Sequence, residues 1–310
     1  LDKIVFIADY IEPKRDKAAN LKEIRTRIAS VGSTQQITSA MKMVSASKLR
    51  KSQNAIMKLR PYSAKMTEIM QNLCDSEIED MPLARKDKTE SVLLLVLTSN
   101  KGLCSSFNAN IIKAAMQRVA YYRQLDKYIK VDVKSFGKRG SDFLKKQSEF
   151  NYIGEEDNIW DGLTFDRVSS VADFLMQSFI DKKYDRVEIV YNQFKNASTQ
   201  ILQCETFLPI ELNTVSANAG SEHKNDYIFE PSKEEIISNV IPQSLKMQLF
   251  KCFLDSFASE HGARMTSMHK ATDNAGNLLK ELKLTYNKAR QAAITNEIIE
   301  ICSGAEALNG

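Results

Sequence analysis

Two long segments of the chain carry apolar residues at steps of three and four. The first lies between Pro13 and Pro61, and its stripe runs Leu21, Ile24, Ile28, Val31, then Ile37, Met41, Val44. The phase jumps around Gly32-Ser33-Thr34-Gln35. The second follows Pro242 to the end of the chain and shows Met268, Ala271, Ala275, Leu278, Leu282, Tyr286, Ala289 and Ala293. Such spacing predicts helices with one apolar face each. At 1.5 Å per residue an unbroken helix over most of the second segment would extend on the order of 100 Å, so a coiled coil is the natural reading. The segments stand at opposite ends of the chain, and pairing them antiparallel buries both stripes. Alanine at half the positions of the second stripe predicts close approach of the helices and a slender seam. Residues 287–308 carry few large apolar side chains for a helix that must bury itself in a core.

Between these helices the period changes. Val92–Leu97 reads as a buried strand, followed by a turn at Gly102 and a helix from about Ala109. Ile129–Phe136 alternates like a strand and ends on Gly137-Lys138-Arg139-Gly140, read as a turn with two exposed cations. A helix near 164–182, then strands over Val187–Phe194 and Thr199–Leu208, complete a strand–helix alternation that predicts an α/β unit with a partly parallel sheet. The expected division is an N-terminal extension (1–17), an N-terminal coiled-coil helix (18–75), an α/β domain (76–210), a linker segment (211–240) and a C-terminal coiled-coil helix (241–310).

Composition narrows the classes. Apolar residues make up 43% and charged residues 26%, as in a protein able to bury a core. The longest apolar run is far too short to cross a bilayer. The five cysteines are odd in number and widely spaced, which argues for reduced thiols and against a structural zinc site. The net charge of +4 is uneven: residues 14–60 hold twelve Lys or Arg against Asp16 and Glu23. That segment implies an acidic partner, either nucleic acid or a protein surface. No aromatic residue lies between Tyr10 and Tyr62 to stack bases, and charge overlaps the apolar stripe, so a protein surface is expected. Neither G-x-G-x-x-G nor G-x-x-x-x-G-K-[ST] occurs, and Asn100-Lys101-Gly102-Leu103-Cys104 is expected to be a tight turn rather than a phosphate cradle. Cys104 is expected to be a buried structural thiol. His261 and His269 lack metal-ligand spacing and are expected on the surface.

The residues of the two helices carry a resemblance. Leu21-Lys22-Glu23-Ile24-Arg25-Thr26-Arg27-Ile28, Thr34-Gln35-Gln36-Ile37-Thr38-Ser39-Ala40-Met41-Lys42-Met43-Val44 and Ser47-Lys48-Leu49-Arg50 resemble the N-terminal helix of gamma subunits of F-type ATP synthases. Ala263-Arg264-Met265, Ala271-Thr272-Asp273-Asn274-Ala275, Tyr286-Asn287-Lys288-Ala289-Arg290-Gln291-Ala292 and the Ile294-Thr295, Glu297, Glu300, Gly304-Ala305, Ala307 pattern are similar to the same family's C-terminal helix. The resemblance implies an antiparallel coiled coil of the terminal helices with a central Rossmann-like α/β domain. It implies a non-catalytic central-stalk rotor without cofactor or metal, transmitting rotation of a proton-driven membrane ring to the catalytic alpha/beta hexamer. Implied partners are alpha and beta subunits, delta and epsilon central-stalk subunits and the c-ring, with no nucleic acid. Carried over by position, Met41, Lys42, Arg290, Gln291 and Thr295 are implied beta contacts, and Tyr227 and Glu230 membrane-ring contacts. A slim C-terminal end would suit low-friction contact with a surrounding sleeve. The family's usual Asp-Arg-Gly-Leu-Cys-Gly-Gly stands here as Asn100-Lys101-Gly102-Leu103-Cys104-Ser105-Ser106, and residues 1–17 match nothing in it. The inserted cysteine pair of chloroplast members is absent, so no thiol switch is expected. A start at Leu1 favours a removed presequence and the matrix side of the mitochondrial inner membrane; the alternative is the cytoplasmic side of a bacterial plasma membrane. Rival classes are a basic coiled-coil nucleic-acid protein and a small α/β enzyme with helical arms.

Overall fold

The computed structural model describes the backbone over residues 2–73, 82–85, 88–210 and 233–309, and side chains over 21–59, 61–62, 65–66, 82–85, 88–210 and 239–307. The elements are α1 (Asp2–Leu73), β1 (Ser91–Leu97), α2 (Phe107–Leu125), β2 (Lys130–Phe136), α3 (Lys138–Leu144), β3 (Asn151–Glu155), α4 (Phe165–Ile180), β4 (Arg186–Phe194), β5 (Gln200–Leu208) and α5 (Lys233–Asn309). α1 runs through both the expected extension and the expected first helix. α5 begins before Pro242, which the helix accommodates inside its first turns. The chain divides into two compact units, residues 1–43 with 267–310, and residues 44–266.

In the first unit α1 and α5 run antiparallel: Thr272 Oγ1 donates to Thr38 Oγ1 at 2.9 Å, and Lys42 Nζ lies 3.2 Å from His269 Nδ1. The shielded positions of α1 include 24, 28, 31, 35 and 38, and those of α5 include 268, 272, 275, 279, 282, 286, 289 and 293. Both follow the four-three alternation of a heptad seam. The expected phase jump at Gly32 does not occur. The seam continues through Gln35 and Thr38, while Ile37 and Met43 are 60% and 65% exposed. Leu278 likewise faces outward and Leu279 takes the seam. Small and polar side chains let the helices close, and a Cβ on Gly276 would stand 3.0 Å from Gln35 Nε2. Large apolar residues mark part of this seam and mislead where Gln35, Thr38 and Thr272 take its positions.

The second unit is a five-stranded sheet of order β3-β2-β1-β4-β5, with β3, β2, β1 and β4 parallel and β5 antiparallel to β4. β1 is central and covered on both faces, hence its unbroken apolar run. Leu93, Leu95 and Leu97 point into a core shared with α4 and the 241–253 stretch of α5; Val92, Leu94 and Val96 point to α2. Leu49 and Ile56 of α1 pack against Leu254 and Ala258 of α5. Gly137-Lys138-Arg139-Gly140 proves to open α3 instead of forming a plain turn. Its cations are exposed as expected, but its glycines are set by contact: a Cβ on Gly137 would lie 2.1 Å from Thr98 O, and φ is +115° there. β3 was not expected from the sequence; five residues with a glycine at φ +137° give little alternation to read.

Candidate functional site

Parallel sheets of this order bind ligands outside the carboxyl ends of the strands, where the strand order reverses. Here that point lies between β1 and β4, and α5 occupies it. Ser256 Oγ reaches Leu97 O at 3.5 Å, and Ser259 Oγ donates to Asn192 O at 2.9 Å. Arg264 spreads across the loop after β1: its Nη2 donates to Lys101 O at 2.6 Å and its Nε to Gly102 O at 3.2 Å. Its Nη1 meets Glu260 Oε1 at 2.6 Å and His261 Nδ1 at 3.2 Å. All three side chains are buried. The stretch from Cys252 to Arg264 is shielded on nearly every face; most of its polar groups find partners, while His261 Nε2 is buried without one.

Electrostatics follow from this packing. Burial pushes the Glu260 carboxyl up, with Arg264, Lys48 and Lys101 pulling it back in part. Burial, then the Arg264 and Lys48 charges, drive His261 down to about 3. A guanidinium only donates, so His261 Nδ1 accepts and Nε2 carries the proton. The expectation of a surface His261 is therefore wrong. The sequence around it looks like any helix face, and only the crossing of the sheet ends buries it. Cys104 is buried as expected, with Asn108 Nδ2 3.2 Å from its Sγ, and burial raises its thiol. The family's second-last glycine position holds Ser105 at φ +55°, in the left-handed region. Among the described residues no nucleophile is paired with a base at this point, and side chains of α5 occupy the strand ends.

The implied contact residues lie in the first unit. Met41 and Lys42 are half-buried on α1; Arg290, Gln291 and Thr295 are exposed on α5. Beside them Ile294, Ile298, Ile299 and Ile301 are 49%, 56%, 58% and 67% exposed. Ala289 and Ala293 form the seam. The end of α5 thus turns alanines to the seam and a set of isoleucines outward, among exposed polar residues. Tyr227 and Glu230 fall outside the described residues. The sequence reading named Gln35, Thr38, Thr272 and Arg264 only as parts of matching motifs, without the seam and joint roles they have here, and it did not place His269 beside the seam. The hydroxyls at 38, 45 and 52, seven apart, were a signal for the seam.

Residues 20–308 match the family model described as ATP synthase. The ATP synthase gamma chain of Flavobacterium johnsoniae is 56% identical over 297 residues, covering 94% of this chain and all of the relative. The chain belongs to the ATP synthase gamma-chain family. A second gamma chain, from Christiangramia forsetii, is 55% identical over 295 residues, 94% of this chain and 100% of that one. Among solved structures, a chain of the Euglena gracilis mitochondrial ATP synthase, in the assembly described as OSCP/F1/c-ring, is 21% identical with TM-score 0.62. It covers 94% of this chain and 95% of its own. A chain from the Tetrahymena thermophila mitochondrial ATP synthase, described as central stalk/c-ring, is 23% identical with TM-score 0.53 over 76% of this chain and 99% of that one. These structures share the gamma fold. Gamma chains are non-catalytic central-stalk subunits, which fits a switch point closed by a helix. The relatives named are bacterial, and they do not support the expectation of a mitochondrial origin.

Proposed function

We propose that this chain is the central-stalk rotor of a bacterial F-type ATP synthase, peripheral on the cytoplasmic side of the plasma membrane. It carries rotation of the proton-driven c-ring to the alpha/beta hexamer, with delta and epsilon subunits as further central-stalk partners. The observation that carries this reading is the outward apolar row Ile294, Ile298 and Ile301 flanked by Arg290, Gln291 and Thr295. Apolar side chains on the outside of a coiled coil call for a surrounding surface. The neighbouring Arg fork gives that surface a directional polar contact, strong at one geometry and weak at others. Met41 and Lys42 are proposed to meet the acidic lever regions of beta, and Tyr227 and Glu230 the ring.

The test is ATP hydrolysis by alpha and beta subunits with and without the chain. Turnover is expected only with it, and truncation of 287–310 should abolish the gain. Arg290→Ala should lower turnover about ten- to 150-fold, the range of one lost charge-assisted hydrogen bond. Full turnover without the chain would overturn the reading.

A further inference from the structure

The end of the sheet opposite the crossing helix is basic and apolar at once. β1, β2 and β4 begin level with one another there, Ser91 beside Lys130 and Val92 beside Arg186. The last turns of α2 turn Tyr121 and Leu125, four residues apart on one face, out to solvent. The turn from α2 to β2 adds Tyr128, which is 91% exposed. That turn is fixed: Tyr128 N donates to Asp126 Oδ1 at 2.9 Å, and Ile129 N to Asp126 O at 3.2 Å. Asp126 is thus engaged, while Arg123, Lys127 and Lys130 stand exposed among these apolar side chains. Among the described residues Arg123 and Lys127 have no acidic partner, and Lys130 Nζ comes no nearer than 3.9 Å to Asp132. Between Arg123, Lys130 and Ser148 lies a hollow of about 330 Å³, lined also by Ile129 and Phe150, with Glu149 its one acid.

We propose that this rim docks on anionic phospholipid, with one phosphate headgroup seated in the hollow between Arg123 and Lys130. Tyrosine suits the headgroup level of a bilayer, its ring toward the acyl chains and its hydroxyl in water. Lysine and arginine beside it meet anionic headgroups while their stems lie along apolar surface. An acidic protein surface would satisfy the cations, but Leu125 and Tyr128 would each need a matching socket. A bilayer takes both kinds of side chain without one. The inference rests on the reading above of the chain as peripheral to a membrane, and it names what this end of the α/β unit touches there. A fluid lipid surface has no fixed angular wells, so a turning rotor can meet it without being held at one angle.

The test places an indole on the rim by Tyr128→Trp in the full chain; wild type, whose Trp160 is buried, is the blank. With vesicles of phosphatidylglycerol and phosphatidylcholine in equal parts, the new emission should shift to the blue. Brominated acyl chains should quench it. Arg123→Gln, Lys127→Gln and Lys130→Gln together should weaken the partitioning seen by this indole about a hundredfold, at about fivefold per cation. Attachment through the basic α1 alone would leave the indole in water, unshifted and unquenched, and would overturn the proposal. So would a triple variant that partitions as tightly as its parent, or a larger shift with a single-stranded oligonucleotide than with vesicles. These readings need no alpha or beta subunit, so the lipid contact can fail while hydrolysis with those subunits upholds the rotor reading, and the reverse.

Discussion

Arg264 gives the sharpest test of how the α/β unit is held together. Its guanidinium and the Glu260 carboxylate are 7% and 8% exposed, 2.6 Å apart on adjacent turns of α5. Replacing it by Met keeps most of the volume and removes every donor. Glu260 then loses its buried counter-charge, and the carbonyls of Lys101 and Gly102 lose their donors. Breaking one side of a buried pair costs about 3–5 kcal/mol. The partner can escape part of this by taking up a proton. Without Arg264 the folded-state pKa of Glu260, already raised by burial, rises further. A carboxyl raised above its unfolded value binds more protons folded than unfolded, so stability falls as pH rises through that range. The loss in Arg264→Met should therefore be larger at pH 8 than at pH 5.

The assay is urea unfolding of the full chain followed by fluorescence of Trp160, the one tryptophan in the sequence. That indole is buried and lies 5.3 Å from the Phe253 ring and 6.0 Å from the Phe257 ring, both on α5. It reports on the seating of this helix against the sheet. At an m-value of about 2 kcal/mol/M the expected loss moves the midpoint by about 1.5–2.5 M. The double variant Arg264→Met with Glu260→Gln should recover about half or more, since no charge is left stranded. A single variant within about 1 kcal/mol of wild type, or single and double variants alike at pH 8, would refute the argument.

Three further outcomes are expected. His261, held down to about 3 by burial, is neutral in the folded chain, so its contribution is intact above the unfolded value near 6.5. It is lost as pH falls toward about 3, at up to about 1.4 kcal/mol per pH unit; in His261→Leu, acid titration by the same fluorescence should be shallower over that window. Ser105→Gly should stabilise by about 0.5–1 kcal/mol, because φ +55° costs an L-residue what glycine does not incur, and thermal melting checks this. Gly137→Ala should cost more than about 3 kcal/mol, since its Cβ would fall 2.1 Å from Thr98 O, and loss of soluble full-length chain or of the urea midpoint measures it.

Much of the fold was legible because its strongest signals are periodic. β1 announced itself by its buried apolar run, β2 by alternation, β4 and β5 as strand-like segments after a helix, and the two long helices by spacing and length. The seam of the coil was legible only in its ends. Where Ile and Val occupy heptad positions the pattern was read correctly, and where Gln35 and Thr38 take them the eye moved to Ile37 and Val44, which face outward. Hydrophobicity marks a seam only if the seam is held by hydrophobic burial. Helices packed closely through hydroxyls and alanines obey the same seven-residue repeat with a weaker apolar signature. The buried stretch 252–264 was illegible for a different reason. Its polar residues look in sequence like any helix face, and the partners of Ser256, Ser259 and Arg264 are strand-end carbonyls and loop groups far away in sequence.

The missing glycine-rich loop and the crossing helix are two sides of one arrangement. Where a parallel sheet reverses its strand order, neighbouring connections leave to opposite faces and strand-end backbone groups are left without ladder partners. A nucleotide-binding protein turns this to use by aiming free N–H groups of a glycine-rich turn at a phosphate. In this chain Leu97 O, Asn192 O, Lys101 O and Gly102 O are met instead by hydroxyl and guanidinium groups of α5. A loop whose carbonyls face inward to an arginine cannot also present a ring of donors to an anion. The same crevice can hold a ligand or a helix, and the polar residues at 256, 259 and 264 commit it to the helix. A sheet closed in this way serves as a socket for α5, and its chemistry is that of a joint.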